Sequence, residues 1–359
     1  MAAIIVKWIL LTLFFVINNP KLLIQSQEQV PCSFFFGDSQ FDNGNNNFLL
    51  TTAKANYPPY GIDYPNGTAT GRFSNGRNIA DFLAQFLGFD KPIPPFATAS
   101  GSEILKGVNY ASGSAGIRDE SGNNLGDRIS MNRQLINHGI TVSRIALLLR
   151  STTINDYLSK CLYTINIGTN DYLNNYLMPR LYPTSVLFTP DQFAEVLIQQ
   201  FSLQLTTLYS LGARKVAVFG LGLLGCLPEE LARFPTNGSP CVDSINNDVS
   251  LFNNRLRPLI DNLNNNLPDA RFIFINITSI SLAGPQPIGI TVVNAPCCIV
   301  SSDGQCARNQ VPCNNRNQYV FFDNFHPTEN LNLAMALRAY NAALPSDAYP
   351  IDIRRLVQQ

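Results

Sequence analysis

Ser33-Phe34-Phe35-Phe36-Gly37-Asp38-Ser39-Gln40 ends a run of aromatic residues abruptly in Gly-Asp-Ser and passes into the Asn/Gly-rich tract Phe41-Asp42-Asn43-Gly44-Asn45-Asn46-Asn47. The run is short and apolar at every position, the pattern of a strand buried on both faces of a parallel sheet. Gly37 permits a sharp turn at the carboxyl end of that strand, the edge at which open α/β sheets bind ligands. Ser39 is therefore expected to stand in the crevice with its hydroxyl exposed. By itself the tripeptide reads more simply as a turn with a helix cap. What raises it above that reading is its partners further along the chain.

Working outward, short apolar segments at 108–111, 161–167, 216–220 and 272–275 read as further strands. Between them lie helical patterns. Ile79, Phe82, Leu83, Phe86 and Leu87 recur at helical spacing, with Ser74 expected to cap that helix and Gly88 to stop it. Helical spacing returns over 135–149. Thr189-Pro190-Asp191-Gln192 supplies a cap, a proline at the first helical position and a capping-box glutamine, and Gly212 ends the helix it opens. Val249, Phe252, Leu256, Leu259 and Leu263 mark another long helix, expected to kink at Pro258. Strands alternating with helices indicate an α/β fold, a mostly parallel sheet covered on both faces. No repeat or linker divides the chain, so residues 27–359 are read as one domain.

Charged residues make up 14% of the chain and the net charge is zero, which provides no basic surface for nucleic acid. Lys7 followed by the apolar run Trp8 to Ile17 has the form of a secretory signal peptide, expected over residues 1–26. Pro20 and Lys21 interrupt that run short of the length of a membrane span, and no integral span is expected in the mature chain. Eight cysteines in an oxidising compartment argue for disulfides. Cys297, Cys298, Cys306 and Cys313 crowd a Gly/Pro/Asn-rich stretch and read as a stapled loop. Zinc there would want Cys-x-x-Cys pairs or a histidine, and the cluster has neither. Cys226 and Cys241 flank another loop and are candidates to pair, although spacing does not fix connectivity. Asn66, Asn237 and Asn276 head glycosylation sequons. Secretion to the extracellular space is the expected destination, the apoplast or cell wall in a plant.

The chain has two histidines. His138 falls at a polar point of the 135–149 helix and reads as a surface residue. His326 lies in Phe322-Asp323-Asn324-Phe325-His326-Pro327-Thr328, with Pro327 expected at the first position of a terminal helix carrying Leu331, Ala334 and Leu337. The amino end of that helix disfavours an imidazolium and keeps a neutral base available. Asp323, three residues earlier, can orient the ring through its Nδ1 proton. A serine nucleophile needs this combination of a base and a carboxylate that fixes the base's tautomer.

Gly37-Asp38-Ser39, Asn109-Tyr110-Ala111-Ser112-Gly113, Gly168-Thr169-Asn170-Asp171 and Asp323-Asn324-Phe325-His326-Pro327 occur in the order of the motif blocks of the SGNH hydrolases. The chain resembles the plant GDSL esterase/lipase branch of that superfamily over nearly its whole mature length. Asp42-Asn43-Gly44-Asn45-Asn46 and Gly71-Arg72-Phe73-Ser74-Asn75-Gly76-Arg77 share the likeness. The resemblance implies a flavodoxin-like, three-layer fold and a secreted serine hydrolase of lipid or other small acyl esters, working through an acyl-enzyme without a cofactor or metal. It implies Ser39 as nucleophile, His326 as general base and Asp323 as the residue orienting it. It also implies an oxyanion hole of the Ser39 and Gly113 backbone N–H groups and the Asn170 side-chain amide. Gln40 departs from the leucine of the family name. Ser112-Gly113-Ser114-Ala115-Gly116 misses a nucleophile elbow at its first residue, which makes Ser114 the alternative nucleophile. The rival readings are a secreted binding or structural protein that keeps the fold without catalysis, and a flavodoxin-like nucleotide or flavin binder. Against the latter, no phosphate loop or dinucleotide fingerprint is present.

Overall fold

The computed structural model describes residues 27–150, 154–282 and 289–359; the expected signal peptide over 1–26 lies outside the described residues. Strands β1 (Ser33–Gly37), β2 (Leu162–Asn166), β3 (Lys215–Phe219) and β4 (Arg271–Ile275) form a parallel sheet in that spatial order. A short antiparallel strand, Ala348–Tyr349, closes the β4 edge. A second, two-stranded sheet pairs Val292–Pro296 with Tyr319–Phe321.

Alternation along β1 divides the core into two layers. Phe34 and Phe36 join the cluster under three long helices, α2 (Met131–Leu149), α3 (Pro190–Ser210) and α4 (Asp243–Asn266). Phe35 joins the cluster on the other face, under α1 (Ile79–Phe86), α5 (Glu329–Tyr340) and the short helix Ile353–Val357. All three phenylalanines are fully buried, each contributing roughly 1.5–3 kcal/mol of transfer free energy. The three-layer α/β arrangement is the fold class expected from the alternating pattern.

Several local expectations need correction. Residues 108–111 do not form a full strand: Asn109 makes single bridges to Phe35 and Pro95. Its Oδ1 accepts the Ala111 N–H at 2.9 Å, a local bond that competes with extending the ladder. The segment nevertheless lies on the far side of β1 from β2, giving the spatial order 2-1-3-4-5 with its outer strand reduced to one bridge. The β1 carboxyl end is therefore the topological switch point.

Asn78, not Ser74, caps α1, with Asp81 completing a capping box; the Ser74 hydroxyl donates instead to the Pro327 carbonyl. Helix α4 runs continuously across Pro258. Thr328 caps α5, so Pro327 precedes the cap and His326 sits in a tight loop before the helix. Leu337 of α5 is exposed, and Asn332, Ala336 and Ala339 are its buried positions. The capping box at Thr189 forms as expected.

Four disulfides use all the cysteines: Cys32–Cys161, Cys226–Cys241, Cys297–Cys313 and Cys298–Cys306. The first ties the residue before β1 to the residue before β2. The last two staple the loop that packs with Tyr60, Phe73 and Phe322 into a third, smaller apolar cluster. No helix among the described residues is long and apolar enough to cross a membrane.

Candidate active site

Strand β1 can end as it does because Gly37 lacks a side chain: a Cβ there would lie 2.3 Å from the Asn166 carbonyl oxygen. Gln134 of α2 clamps the same residue from the other side, accepting the Gly37 N–H at 2.9 Å and donating to its carbonyl at 2.7 Å. Beyond it, the Asp38 carbonyl accepts the Phe41 and Asp42 N–H groups, and the Asp38 carboxylate accepts that of Gln40 at 3.0 Å. These bonds fold residues 38–42 into a turn in which Ser39 and Gln40 are the partly exposed residues.

The Ser39 hydroxyl lies 2.7 Å from His326 Nε2. The His326 Nδ1 lies 2.8 Å from one Asp323 oxygen and 2.9 Å from the other. Asp323 is fully buried, and its Oδ1 also accepts the Phe325 and His326 backbone N–H groups at 2.9 and 2.7 Å. With a carboxylate on Nδ1, the ring keeps its proton there and presents a bare Nε2 to the serine. Phe73 packs on the imidazole with ring centroids 4.9 Å apart. The structure thus brings Ser39, His326 and Asp323 into one hydrogen-bonded chain at the switch point, within a cleft also lined by Gln40, Ser114 and Asn170.

The expected oxyanion donors fall differently. No acceptor among the described residues takes the Ser39 N–H. Asn170 lines the cleft, and its amide nitrogen spends one N–H on the Ala115 carbonyl at 3.0 Å, leaving the other. Its Oδ1 is held by the Asn174 amide at 2.7 Å, which fixes the amide's orientation. Gly113 requires correction: its N–H donates to Asp42 Oδ2 at 2.9 Å inside the protein and is already committed. Ser114 stands next to it with φ +65°, and no acceptor among the described residues takes its N–H. The Ser114 hydroxyl is buried with no hydrogen-bond partner among the described residues, so none of them stands as a base to activate it.

The Asn/Gly-rich tract turns out to be the mortar of the site. Asp42 Oδ1 accepts the Gly44 and Asn45 N–H groups, both at 2.7 Å. The Asn45 amide donates to the Asn109 and Ala111 carbonyls, and the Asn46 amide to those of Ala53 and Gly113. Asn46 Oδ1 accepts the Ser112 hydroxyl at 2.5 Å. Side-chain amides here do for the loops what ladder bonds do for strands. Asp171 plays the same part for its own loop, accepting the Ile117 and Arg118 N–H groups and the Ser121 hydroxyl.

Burial raises the pKa of these carboxylates against the lowering effect of the N–H groups: Asp38 to about 7, Asp42 to about 6 and Asp171 to about 6. His138 also departs from expectation. It is fully buried, its Nδ1 3.1 Å from the Tyr110 hydroxyl, and burial lowers its pKa to about 3. Of the sequon residues, Asn66 and Asn237 are exposed, whereas Asn276 is half-buried and accepts the Ser279 N–H.

The profile of the GDSL-like lipase/acylhydrolase family matches residues 34–339, from β1 to the last turn of α5. GDSL esterase/lipase At1g29670 of Arabidopsis thaliana is 50% identical over 365 residues, covering 100% of both chains. GDSL esterase/lipase At5g45670 of the same plant is 47% identical over 341 residues, covering 93% of this chain and 94% of its own. GDSL esterase/lipase At4g30140, also of Arabidopsis thaliana, is 45% identical over 351 residues, covering 98% and 97%. With a family profile over most of its length and relatives that match it end to end, this chain belongs to the GDSL-like lipase/acylhydrolase family.

Proposed function

We propose that this protein is a secreted serine esterase that cleaves lipid or other small acyl esters by way of an acyl-enzyme. The supporting observation is the hydrogen-bonded chain Ser39–His326–Asp323 at the sheet's switch point. Names of relatives that carry the words esterase and lipase add to it. The Ser39 hydroxyl attacks the ester carbonyl while His326 Nε2 takes its proton. Asp323 holds the ring's tautomer and offsets the charge that forms on it. The proton then passes to the departing alkoxide, which leaves as the alcohol. A water molecule then attacks the acyl carbonyl and gives its proton to His326, which passes it to the Ser39 oxygen as the serine–acyl bond breaks and the carboxylic acid leaves.

The negative oxygen of each tetrahedral intermediate is met in this reading by the Ser39 N–H and the free N–H of the Asn170 amide. The third donor is the N–H of Ser114, in place of the committed Gly113. Such donors stabilise the transition state because they are already oriented when the charge develops. Ala53, Leu125, Leu173, Leu224 and Leu227 line the cleft beside the serine and suit an apolar acyl chain. A signal peptide over residues 1–26, sugars on Asn66, Asn237 and Asn276, and the four disulfides belong to the same extracellular reading.

The test is hydrolysis of p-nitrophenyl esters by the purified mature glycoprotein, with an alkyl fluorophosphonate as active-site label. One label per chain on Ser39, with loss of hydrolysis in step, is the expected result. A label on Ser114, or hydrolysis undiminished by full labelling of Ser39, overturns the nucleophile. No hydrolysis and no labelling would return the protein to the non-catalytic reading.

A further inference from the structure

Asp323 has one more partner, which no motif block contains. The Tyr60 hydroxyl donates to Asp323 Oδ2 at 2.6 Å, the length of a charge-assisted O–H···O⁻ bond. The same hydroxyl accepts the Cys306 backbone N–H at 3.1 Å. Tyr60 is 1% exposed, and its ring is boxed by Tyr57, Phe73 and Phe322. Cys306 is bonded to Cys298, whose N–H donates to the Phe322 carbonyl, next to Asp323. The Tyr57 hydroxyl donates to the Cys306 carbonyl at 3.0 Å, and the Gln305 amide to the Thr52 carbonyl.

We propose that Tyr60 is a positioning residue for the catalytic carboxylate, and that the disulfide-stapled loop Cys297–Cys313 acts on the reaction through it. The proposal rests on the triad reading above. Asp323 Oδ1 accepts two backbone N–H groups of its own loop and lies 2.9 Å from His326 Nδ1, whereas Oδ2 lies 2.8 Å from that nitrogen and has the Tyr60 hydroxyl as its other partner. Tyr60 therefore sets both the rotation of the carboxyl plane against the ring and the share of its charge left to His326. Because Cys306 occupies a lone pair of the tyrosine oxygen, the hydroxyl proton is directed to Asp323 rather than to any carbonyl nearby. Burial and the Asp323 charge raise the Tyr60 pKa well above its ordinary value, so it donates at every working pH.

The sign of its effect follows. Removing the hydroxyl leaves a more basic carboxylate beside Nδ1, which favours the imidazolium and moves the acid limb of kcat/KM to higher pH. The other charged groups near this ring are Asp38 on the serine side and Asp303 across the cleft. Arg308 stacks on Tyr57, and Glu229 holds the Asn324 amide. All of them are the same in every variant below, so the shift between proteins carries the information.

The experiment compares wild type, Tyr60→Phe, Asp323→Asn and the double variant on p-nitrophenyl butyrate across pH. A fifth protein carries 3-fluorotyrosine at position 60, which keeps the hydroxyl and the fit but strengthens the donor. We expect Tyr60→Phe to lower kcat about tenfold with KM changed less than about twofold, the size of one lost bond to a charged group. Its acid limb should rise by about half a unit, and that of the fluorotyrosine protein should fall. In the Asp323→Asn background the phenylalanine should cost less than about twofold, since the two residues act as one unit. A wild-type acid limb in both Tyr60 proteins, or a full tenfold loss persisting without the Asp323 charge, overturns the proposal. Should Tyr60→Phe not fold, the direction of the fluorotyrosine shift decides alone. Normal turnover by Ser39→Ala would instead overturn the triad reading, which separates the two failures.

Discussion

The two imidazoles of this protein are both withdrawn from water, and the regions around them differ in almost everything else. His138 is ringed by Phe34, Phe36, Tyr110 and Tyr163, with ring centroids 4.8–5.6 Å away. Its Nε2 has no partner among the described residues, and burial lowers its pKa to about 3. His326 is nearly as deep, at 7% exposure against 0%, but has a carboxylate on one nitrogen and a hydroxyl on the other. Burial by itself makes a histidine inert at neutral pH. Burial with a fixed carboxylate makes a base whose proton is held on the far nitrogen. The difference teaches that partners, and not depth, separate the two imidazoles and, on the proposed reading, the reacting group from the packing one.

The largest effect that can break this comparison is on turnover. Ser39→Ala and His326→Ala are expected to lower kcat by roughly 10⁴- to 10⁶-fold, whereas His138→Phe stays within about threefold of wild type. Steady-state kinetics on p-nitrophenyl butyrate measure both, and comparable losses at the two histidines would abolish the distinction. The next effect concerns the cleft that only His326 faces. If Asn170 is the oxyanion donor proposed above, Asn170→Ala should lose about a hundred- to thousand-fold in kcat with little change in KM, because the donor is then needed only once the oxyanion forms. A variant that melts early yet turns over normally in the cold would make Asn170 a turn former.

A third test reads stability, where His138 and Asp38 act in opposite directions. The folded-state pKa of His138 is depressed from 6.5 to about 3, so the unfolded chain binds a proton that the folded one refuses. Stability from this group is lost as pH falls from 6.5 toward 3. The folded-state pKa of Asp38 is raised from 3.8 to about 7, so the folded chain keeps a proton that the unfolded one releases. Stability from that group is present below 3.8 and is lost as pH rises toward 7. Each effect is on the order of a few kcal/mol at the far side of its window. Relative to wild type, His138→Phe should therefore gain in Tm between pH 8 and pH 4, and Asp38→Asn should gain between pH 4 and pH 8. Offsets that do not change with pH would refute both assignments.

The smallest effect belongs to Gln40, beside the nucleophile. Its Oε1 accepts the Asn166 amide at 3.3 Å, and it lines the cleft without contacting His326 or Asp323. Gln40→Leu should change the preference among ester chain lengths by a few-fold, on the order of one lost weak hydrogen bond, with maximal turnover near normal. A large loss on every ester would place Gln40 in the chemistry.

Much of this molecule is legible in the chain alone. Four of the five strands of the central sheet and the long helices follow from local periodicity, because each buries its own apolar stripe. The parallel sheet with helices on both faces follows from their alternation. The motif blocks pointed to the residues that meet at the switch point. Three of the misreadings were decided by partners distant in sequence. Ser74 looked like a cap, but its hydroxyl found the Pro327 carbonyl. Gly113 looked like an oxyanion donor, but Asp42 took its N–H. His138 looked like a surface residue because its helix position is flanked by polar residues. The aromatic ring set that encloses it comes from β1, β2 and the Asn109 segment, which no helical periodicity registers.

Sequence by itself therefore determined four strands of the central sheet, the long helices and which residue types could do chemistry, since these depend on neighbours a few positions away. Only the tertiary structure decided the uses of particular polar atoms: Tyr60 on Asp323, Asp42 on Gly113, Gln134 on Gly37. The physical reason is that a buried donor or acceptor must find a partner wherever the fold supplies one, and spacing along the chain does not record which one arrives first.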